Sequence, residues 1–383
     1  VTHLSGDVII VGAGIMGCAL ASELSHRDVD VVVLDRGQIC SGSSGLNAGG
    51  VRHQFSGESN IRLAARSIQR IVGFTHEFGI DIGFKQVGYL FMASTESTES
   101  ALRRAVDVQN SFGVVTEFIS PDDIAQLVPG VRTDDLRGGS FCRLDGHLDP
   151  HSLVTGFAQD ARKHGAKIRQ NVEVTSVERD GEHATGMRLA DGELVTGKTF
   201  VNCTGAWANS FANLYGAELP IVPWRSQVFA IEGPTFWDRL PMTIDYDQQR
   251  IYFHKEGSGV VAGMDNETAS EPTWDVPCDW SKTTDLVERL LYRVPAFADA
   301  SITHGWAGFL EITPDENPIV GWTHFENLYT AAGFSGHGLS LGPGLAEQVA
   351  LELLGDPTTI ALDSYRPDRF DSDLMDSEQM AMR

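Results

Sequence analysis

The chain is short of basic residues. It carries 29 Lys and Arg against 52 Asp and Glu in 383 residues, a formal charge of −23. Phosphate binding needs a basic face, so this balance excludes a nucleic-acid partner. It argues equally against adhesion to anionic lipid. Cysteine is scarce as well. The five cysteines, Cys18, Cys40, Cys142, Cys203 and Cys278, are odd in number and widely spaced, and no C-x-x-C occurs. That excludes a disulfide framework and a structural zinc site, and no metal is expected. Reduced, mostly buried thiols of a cytoplasmic protein are the plain reading. No apolar run reaches the ~18 residues needed to span a bilayer. The first apolar stretch, Val8 to Gly14, lacks a basic flank and contains Gly-x-Gly, so it reads as a core strand and not as a signal peptide. No repeat with a period of 20–50 residues and no low-complexity linker divides the chain.

What is abundant is glycine, with 40 positions, and enough apolar residues (42%) for a large core. The strongest signal lies at the start. Asp7-Val-Ile-Ile-Val-Gly12 is a β-branched strand, Gly12-Ala13-Gly14-Ile15-Met16-Gly17 a glycine turn, and Cys18 to Leu24 has helical spacing. A second strand, Val29 to Leu34, ends in Asp35, 18 residues after the last glycine. Strand, G-x-G-x-x-G, helix, strand and acid together form a dinucleotide-binding unit. Gly12 permits the turn, Gly14 clears the approach of a pyrophosphate, and Gly17 lets the helix pack on the sheet. The helix N-terminus offers N–H groups to the phosphates, and Asp35 can accept from ribose hydroxyls. The dinucleotide is NAD or FAD. A second small-residue loop, Arg36 to Gly50, lets backbone pass close to a large flat ring system, which a simple NAD domain does not require.

Over most of its length the sequence resembles the flavoprotein amine-oxidising family of D-amino-acid oxidase, glycine oxidase and sarcosine oxidase. It is most similar to the branch with sarcosine oxidase β subunits, dimethylglycine dehydrogenases and L-proline dehydrogenase β-type chains. The resemblance implies FAD, with Gly12, Gly14, Ile15, Met16, Gly17, Asp35 and Arg36 on its nucleotide half. It implies Ser43, Ser44, Asn47, Ala48, Gly49, Gly50 and Val51 in the second loop. Val174 matches a residue that holds adenine through its backbone. Thr204, Gly205 and Trp207, in Asn202-Cys-Thr-Gly-Ala-Trp207, match a turn beside the diphosphate, although a buried strand with an ordinary glycine stop explains them too. Trp306, Gly308 and Thr313-Pro-Asp-Glu316 match a segment near the flavin ring. Gly333-Phe-Ser335-Gly336-His337-Gly338, with Leu339, matches a loop whose backbone lines the pyrimidine end of the flavin.

The expected architecture is mixed α/β: a Rossmann-like FAD-binding domain with an interleaved, mainly antiparallel substrate domain. The FAD-binding domain is expected from 1–85, 148–220 and 305–370, the substrate domain from 86–147 and 221–304, and a loose acidic tail from 371–383. Helices are expected over Asn60–Phe78, with Ile61, Ala64, Ile68, Ile71 and Val72 on one apolar face, and over Ser97–Phe112, His151–His164, Ser281–Tyr292 and Gly344–Leu354. Ser120, Pro121 and Asp123 read as a capped helix start. Strands are expected in Phe84–Ala93 around Gly88, Val172–Val177, Pro220–Ile231, Gln249–Phe253, Gly259–Gly263 and Asn327–Ala332.

Amine oxidation on a flavin needs the substrate C–H held against the ring, negative charge on the reduced ring stabilised, and a cation for an amino-acid carboxylate. Arginine suits the last task through its planar fork. Arg52 stands where sarcosine oxidase-like proteins place such an arginine. His53 beside it is a candidate for tuning the flavin or linking to it covalently. His337 and Tyr252 are candidates to face the substrate. A surface salt-bridge arginine, a core histidine and a core tyrosine are the competing readings. The sequence departs from the sarcosine oxidase pattern at three places. Ser340 replaces a carboxylate-binding lysine. Val261 stands nearest an oxygen-activating lysine, which implies poor use of O2. No cysteine lies near Trp306 or Ala307, which implies FAD without a cysteinyl bond.

The expected activity is oxidation of the C–N bond of a small secondary or tertiary amino acid, such as sarcosine, dimethylglycine or proline. Hydride passes to flavin N5, and O2, a quinone or an electron-transfer protein reoxidises the flavin. The alternatives are a flavin subunit of a heteromeric dehydrogenase, with a second subunit or acceptor protein as partner, and oxidation of a small alcohol such as glycerol 3-phosphate.

Overall fold

The computed structural model describes residues 4–233, 237–264, 267–268, 271–371 and 377–380. Strand β1 (Leu4–Val11) leads through the glycine turn into helix α1 (Ile15–Ser25), which returns to strand β2 (Val31–Leu34). β1 and β2 pair in parallel, with Val8 opposite Val31 and Val11 opposite Leu34. On its other side β1 pairs in parallel with the strand Leu194–Asn202. The sheet runs Ile319–Trp322, Leu328–Ala332, Leu194–Asn202, β1, β2 and Lys167–Arg169, with Val174–Asp180 and His183–Leu189 joined beside it, eight strands in all. β2 is buried at every residue, as a parallel strand covered on both faces must be.

α1 is apolar around nearly its whole circumference and buried from Ile15 to Leu20 without interruption. It lies against β1 and against the helices Pro150–Lys163 and Gly338–Leu353. The glycines make this possible. A Cβ on Gly17 would fall 1.9 Å from the carbonyl oxygen of Gly12. Gly12 has φ +107°, and a Cβ there would fall 2.2 Å from the carbonyl oxygen of Cys203.

The second sheet has nine strands, mainly antiparallel. The long strand Val222–Glu232 pairs with Ser301–Ile312 on one side and with Gly259–Met264 on the other. Further along come Ile251–Glu256, Met242–Asp245, Tyr89–Ala93, Gly138–Cys142 and Glu117–Ile119. The chain therefore enters and leaves each sheet more than once. Ser301–Ile312, which spans the expected boundary at 305, is bonded into this second sheet along its length. The capping box at Ser120 and Asp123 is present, with Pro121 in the first turn. All five cysteines are free. No described helix is long and apolar enough to cross a membrane.

Several expectations need correction. Val72, expected on the buried face of the helix Glu58–Phe78, is 58% exposed. Leu63 and Phe74 are buried there instead, because the buried face is centred on Ala64, Ser67 and Ile71, and Val72 falls on the far side of it. Only Tyr89–Ala93 of the expected Phe84–Ala93 strands forms a ladder, with Lys85 making an isolated bridge to His147. The last helix starts at Gly338, six residues before the expected Gly344, and carries Pro343 inside it. Glycine and proline disfavour helix intrinsically, but here the missing side chains let the helix close on its neighbours. Gly344 would place a Cβ 2.6 Å from the carbonyl oxygen of Leu63.

The expected loose tail is not loose where it is described. Residues 372–376 and 381–383 lie outside the described residues. Glu378, however, accepts from the backbone N–H and hydroxyl of Ser56 and from Asn60 Nδ2. Met380 is 3% exposed. The acid that suggests a solvated tail is the group that anchors it.

Arg293, fully buried, ties the second unit together. It binds Asp245 at 2.7 Å and Asp135 at 2.7 Å and donates to the Arg132 carbonyl at 2.6 Å. Burial lifts the Asp245 carboxyl above the usual range despite the guanidinium. It pushes Asp135 the same way, but there Arg293 outweighs it and holds the group below. Arg293→Met is expected to cost about 3–5 kcal/mol, the penalty for leaving a buried carboxylate without its partner. A urea midpoint within error of wild type would refute this account.

Candidate functional site

Two clefts meet at the carboxyl ends of the parallel strands. The first, of about 300 Å³, is lined by Gly12, Gly14, Ile15, Met16, Asp35, Arg36, Ser43, Ser44, Val174, Thr204, Gly205 and Trp207 among others. Asp35 is fixed by its own turn: Oδ2 accepts from the N–H of Ala13 at 2.5 Å and Oδ1 from Gly37 at 2.7 Å. Burial raises its carboxyl above the usual range, and the two N–H groups offset this only in part. The N–H of Ile15, at the start of α1, donates to Ser44 Oγ at 3.0 Å, so the two small-residue loops are joined. Trp207 stacks on Trp274 at 4.3 Å between ring centres, and the Arg36 guanidinium lies 5.4 Å from the Trp274 ring.

The second cleft, of about 190 Å³, lies between the sheets. Asn47, Ala48, Gly50, Arg52, Tyr252, Gly308, Ser335, Gly336, His337, Gly338 and Leu339 line it, so all three candidate catalytic residues meet here. Arg52 is 5% exposed. It donates to the carbonyls of Gln54 and Met380, and its Nη2 lies 3.1 Å from His337 Nε2. Its guanidinium sits 4.2 Å from the Phe55 ring and 5.2 Å from Phe91. No carboxylate pairs with it among the described residues. A buried cation satisfied only by neutral groups is prepared to receive an anion. His337 is pushed well below its usual range, by burial first and Arg52 second, and is neutral. Burial holds the Tyr252 phenol above its ordinary value and pushes Tyr89 up to about 12.

Six candidate cofactor residues line neither cleft. Gly17 is inside α1, and Val51 is fully buried. Gly49 accepts from the N–H of Leu148. Gly333 turns the chain at φ +79° against Thr313. Trp306 donates from Nε1 to the Leu46 carbonyl at 3.1 Å, which holds the second glycine loop. His53 is held by Asp145 instead, with Nδ1 2.6 Å from Asp145 Oδ1. Asp145 also accepts from the His53 N–H and from Gln54 Nε2. Of the three departures from the sarcosine oxidase pattern, Ser340 accepts from the Arg52 N–H at 3.1 Å, Val261 pairs with Ala230 and His254 in its sheet, and Ala307 is buried opposite Gln227.

Sequence reading passes over Tyr89, Phe91, Met242, Met380 and Glu311. Tyr89 and Phe91 alternate on one face of a strand, and Glu311 is a lone acid in an apolar run, so both carry a local signal. Met380 carries none. The clefts share a neck formed by Ile15, Ser43, Ser44, Glu311 and Phe334. Three buried polar atoms at the clefts lack a partner among the described residues: Ser43 Oγ, Glu311 Oε2 and His337 Nδ1. Buried polar atoms are nearly always paired, so these mark where a bound group supplies the missing partners. An elongated dinucleotide fits a glycine cradle, an acid after β2 and a second cleft joined to the first.

A family profile described as FAD dependent oxidoreductase (DAO) matches residues 7–351. The FAD-dependent oxidoreductase domain-containing protein 1 of Xenopus laevis is 30% identical, covering 95% of this chain and 82% of its own length. Sarcosine oxidase subunit beta of Arthrobacter sp is 27% identical over 96% of this chain and 92% of its own. Mitochondrial sarcosine dehydrogenase of Homo sapiens is 25% identical over 97% of this chain, which spans only 42% of that protein. Among solved structures, L-proline dehydrogenase from P. horikoshii superposes with a TM-score of 0.91 at 29% identity, covering 98% of this chain and 100% of that one.

Gly205 has φ +58°, and a Cβ there would lie 2.7 Å from Glu311 Oε2 at the neck. Gly205→Ala is expected to weaken flavin retention about tenfold, through backbone strain and a narrowed neck. Gly216→Ala is the control, since Gly216 also has positive φ but no atom within 4 Å of where its Cβ would stand. Equal flavin-to-protein absorbance ratios for the two variants would count against the neck as part of the binding site.

Proposed function

Because the chain belongs to the family of FAD dependent oxidoreductases (DAO), we propose that it oxidises the C–N bond of a small secondary or tertiary amino acid, with Arg52 holding the substrate carboxylate. It is an FAD-dependent oxidoreductase acting on amine donors, with amino acid-like compounds as its substrate class. The observation that carries the finer reading is the buried Arg52, the one cation among the described residues lining the second cleft. When bound, FAD supplies the two-electron acceptor that the chain's own side chains lack.

The residues of the chain bind and orient. The Arg52 fork suits a carboxylate, and the Met380 carbonyl now occupies one of its donors. Tyr89, Phe91, Met242 and Ile244 form apolar walls that exclude water and accept N-alkyl groups. Glu311 is the only acid lining this cleft among the described residues, and it lies at the neck. No other carboxylate there would hold the substrate nitrogen as an ammonium ion, which favours the neutral amine that gives up hydride. Tyr252, keeping its proton, and neutral His337 can donate to or accept from substrate without adding charge. A phosphorylated alcohol is disfavoured, since a dianion calls for more than one cation.

The same reading assigns cofactor binding to 1–85, 148–220 and 305–370 and the substrate pocket to 86–147 and 221–304, with Ser301–Ile312 shared between them. A flavin-bearing subunit of a larger dehydrogenase is the second reading. Near-full coverage of a chain named as a subunit supports it, and native mass in the source extract tests it.

The purified chain with bound FAD, mixed anaerobically with a panel of N-methyl and cyclic amino acids, is expected to lose flavin absorbance with at least one of them. Arg52→Ala should raise KM for that compound on the order of a hundredfold, the worth of about 3 kcal/mol of charge-assisted hydrogen bonds. Arg52→Lys should recover part of the loss. An unchanged KM in Arg52→Ala would remove the arginine from the substrate site.

A further inference from the structure

Glu311 sits where a charged carboxylate is poorly served. It closes the apolar run Phe309-Leu-Glu311 on the strand Ser301–Ile312 and is 8% exposed. Oε1 accepts one hydrogen bond, from the N–H of Phe334 at 3.2 Å. Oε2 has no partner among the described residues and approaches the backbone of Gly205. The side chain lines both clefts, so whatever spans from one to the other passes it.

Among the described residues no cation pairs with it. The titratable groups around it include Cys203, Arg225 and His337 and, further along the clefts, Asp35, Arg52, Tyr252 and Arg36, the last paired with Glu173. Cys203 is held as a thiol, by burial first and the Glu311 charge second. Arg225, on the adjoining strand, donates to the Pro277 carbonyl and to Gln227. His337 is neutral. Arg52 is engaged with Gln54, His337 and Met380. Burial therefore pushes the Glu311 carboxyl up to about 7, with only the Phe334 N–H pulling it down.

We propose that Glu311 is a positioning residue that must be protonated when the dinucleotide spans the neck, and that it then donates from its free oxygen to the bound cofactor, so that FAD binding is coupled to proton uptake. The proposal rests on the reading of the two clefts as an FAD site. The diphosphate of FAD is anionic, and an ionised carboxylate at the same neck would repel it in a medium that screens poorly. A carboxylic acid there offers a donor instead. The balance is simple: one proton comes from solvent, and no bond to carbon or phosphorus changes.

The direction of the pH effect follows by linkage. Below the titration of Glu311 the free protein already carries the proton, so affinity for FAD does not depend on pH. Above it, binding must take the proton up, and affinity falls about tenfold per pH unit. Stability of the flavin-free chain obeys the same group. Its folded value of about 7 lies above the ordinary 4.5, so the folded state binds more protons between those limits. Stability is then lost as pH rises through that window.

FAD is titrated into the flavin-stripped full chain between pH 6 and 9, by fluorescence and by calorimetry in two buffers of different protonation enthalpy. Wild type is expected to take up close to one proton at pH 9 and none at pH 6. Glu311→Gln, which keeps the shape and a donor, should bind FAD with no proton uptake and no pH dependence. It should also melt higher than wild type at pH 8 but not at pH 4. A flat wild-type profile overturns the proposal, as does a Glu311→Gln profile that keeps the uptake. Should the variant not fold, the wild-type profile alone decides. No FAD binding at any pH would overturn the flavin site itself and this coupling with it.

Discussion

One approach of backbone to backbone sets the rest of the fold in place. At Gly12 the chain leaves β1 so close to the Cys203 carbonyl that a single added carbon would fall 2.2 Å from its oxygen. The same residue's carbonyl is all but touched by α1 at Gly17. Strand, neighbouring strand and helix are thereby held at separations that side chains would not permit. The consequence is electrostatic as well as steric. The N-terminus of α1 opens toward the first cleft, beside an acid that its own turn has already fixed. Where the backbone comes this close, the positions of both clefts follow.

Charge is distributed against the sign of the whole. A chain with a net charge of −23 places Arg52 in its inner cleft, the one cation lining it among the described residues, and surrounds it with carbonyls, a neutral imidazole and aromatic faces. The one acid at the neck is pushed toward its neutral form by burial. Most of the acids lie on the solvated surface, where charge supports solubility, while Asp145, Asp160, Asp245, Asp315 and Glu316 are buried as well.

Local signals carry much of this, and their failures are instructive. The dinucleotide turn, Asp35, the second glycine loop and the capping box at Ser120 are read from neighbours within a few residues. The first turns of the helix from Gly338 escape such a reading, because Pro343 and three glycines argue for a turn by intrinsic preference. In the folded chain the same glycines lose that cost to close packing on α1 and on the helix Glu58–Phe78. His53 is expected to tune the flavin or link to it beside Arg52, yet Asp145 holds both its ring and its N–H. The acidic end of the chain reads as solvated because acids usually are, but Glu378 meets the unpaired N–H groups ahead of the helix Glu58–Phe78.

The fold class, the dinucleotide turn and the residue types of the site were already determined in the linear chain. They depend on spacing, on glycine where no Cβ fits, and on the period of apolar residues, all of which act over a few positions. Folding alone brings Arg52 and Met380, 328 residues apart, into one hydrogen bond, and stands Glu311 between two clefts. Folding also decides which of the candidate residues face those clefts and which hold the loops in place. Burial and partnership are sums over everything that surrounds a group, and a linear chain does not state what its distant parts will bring together.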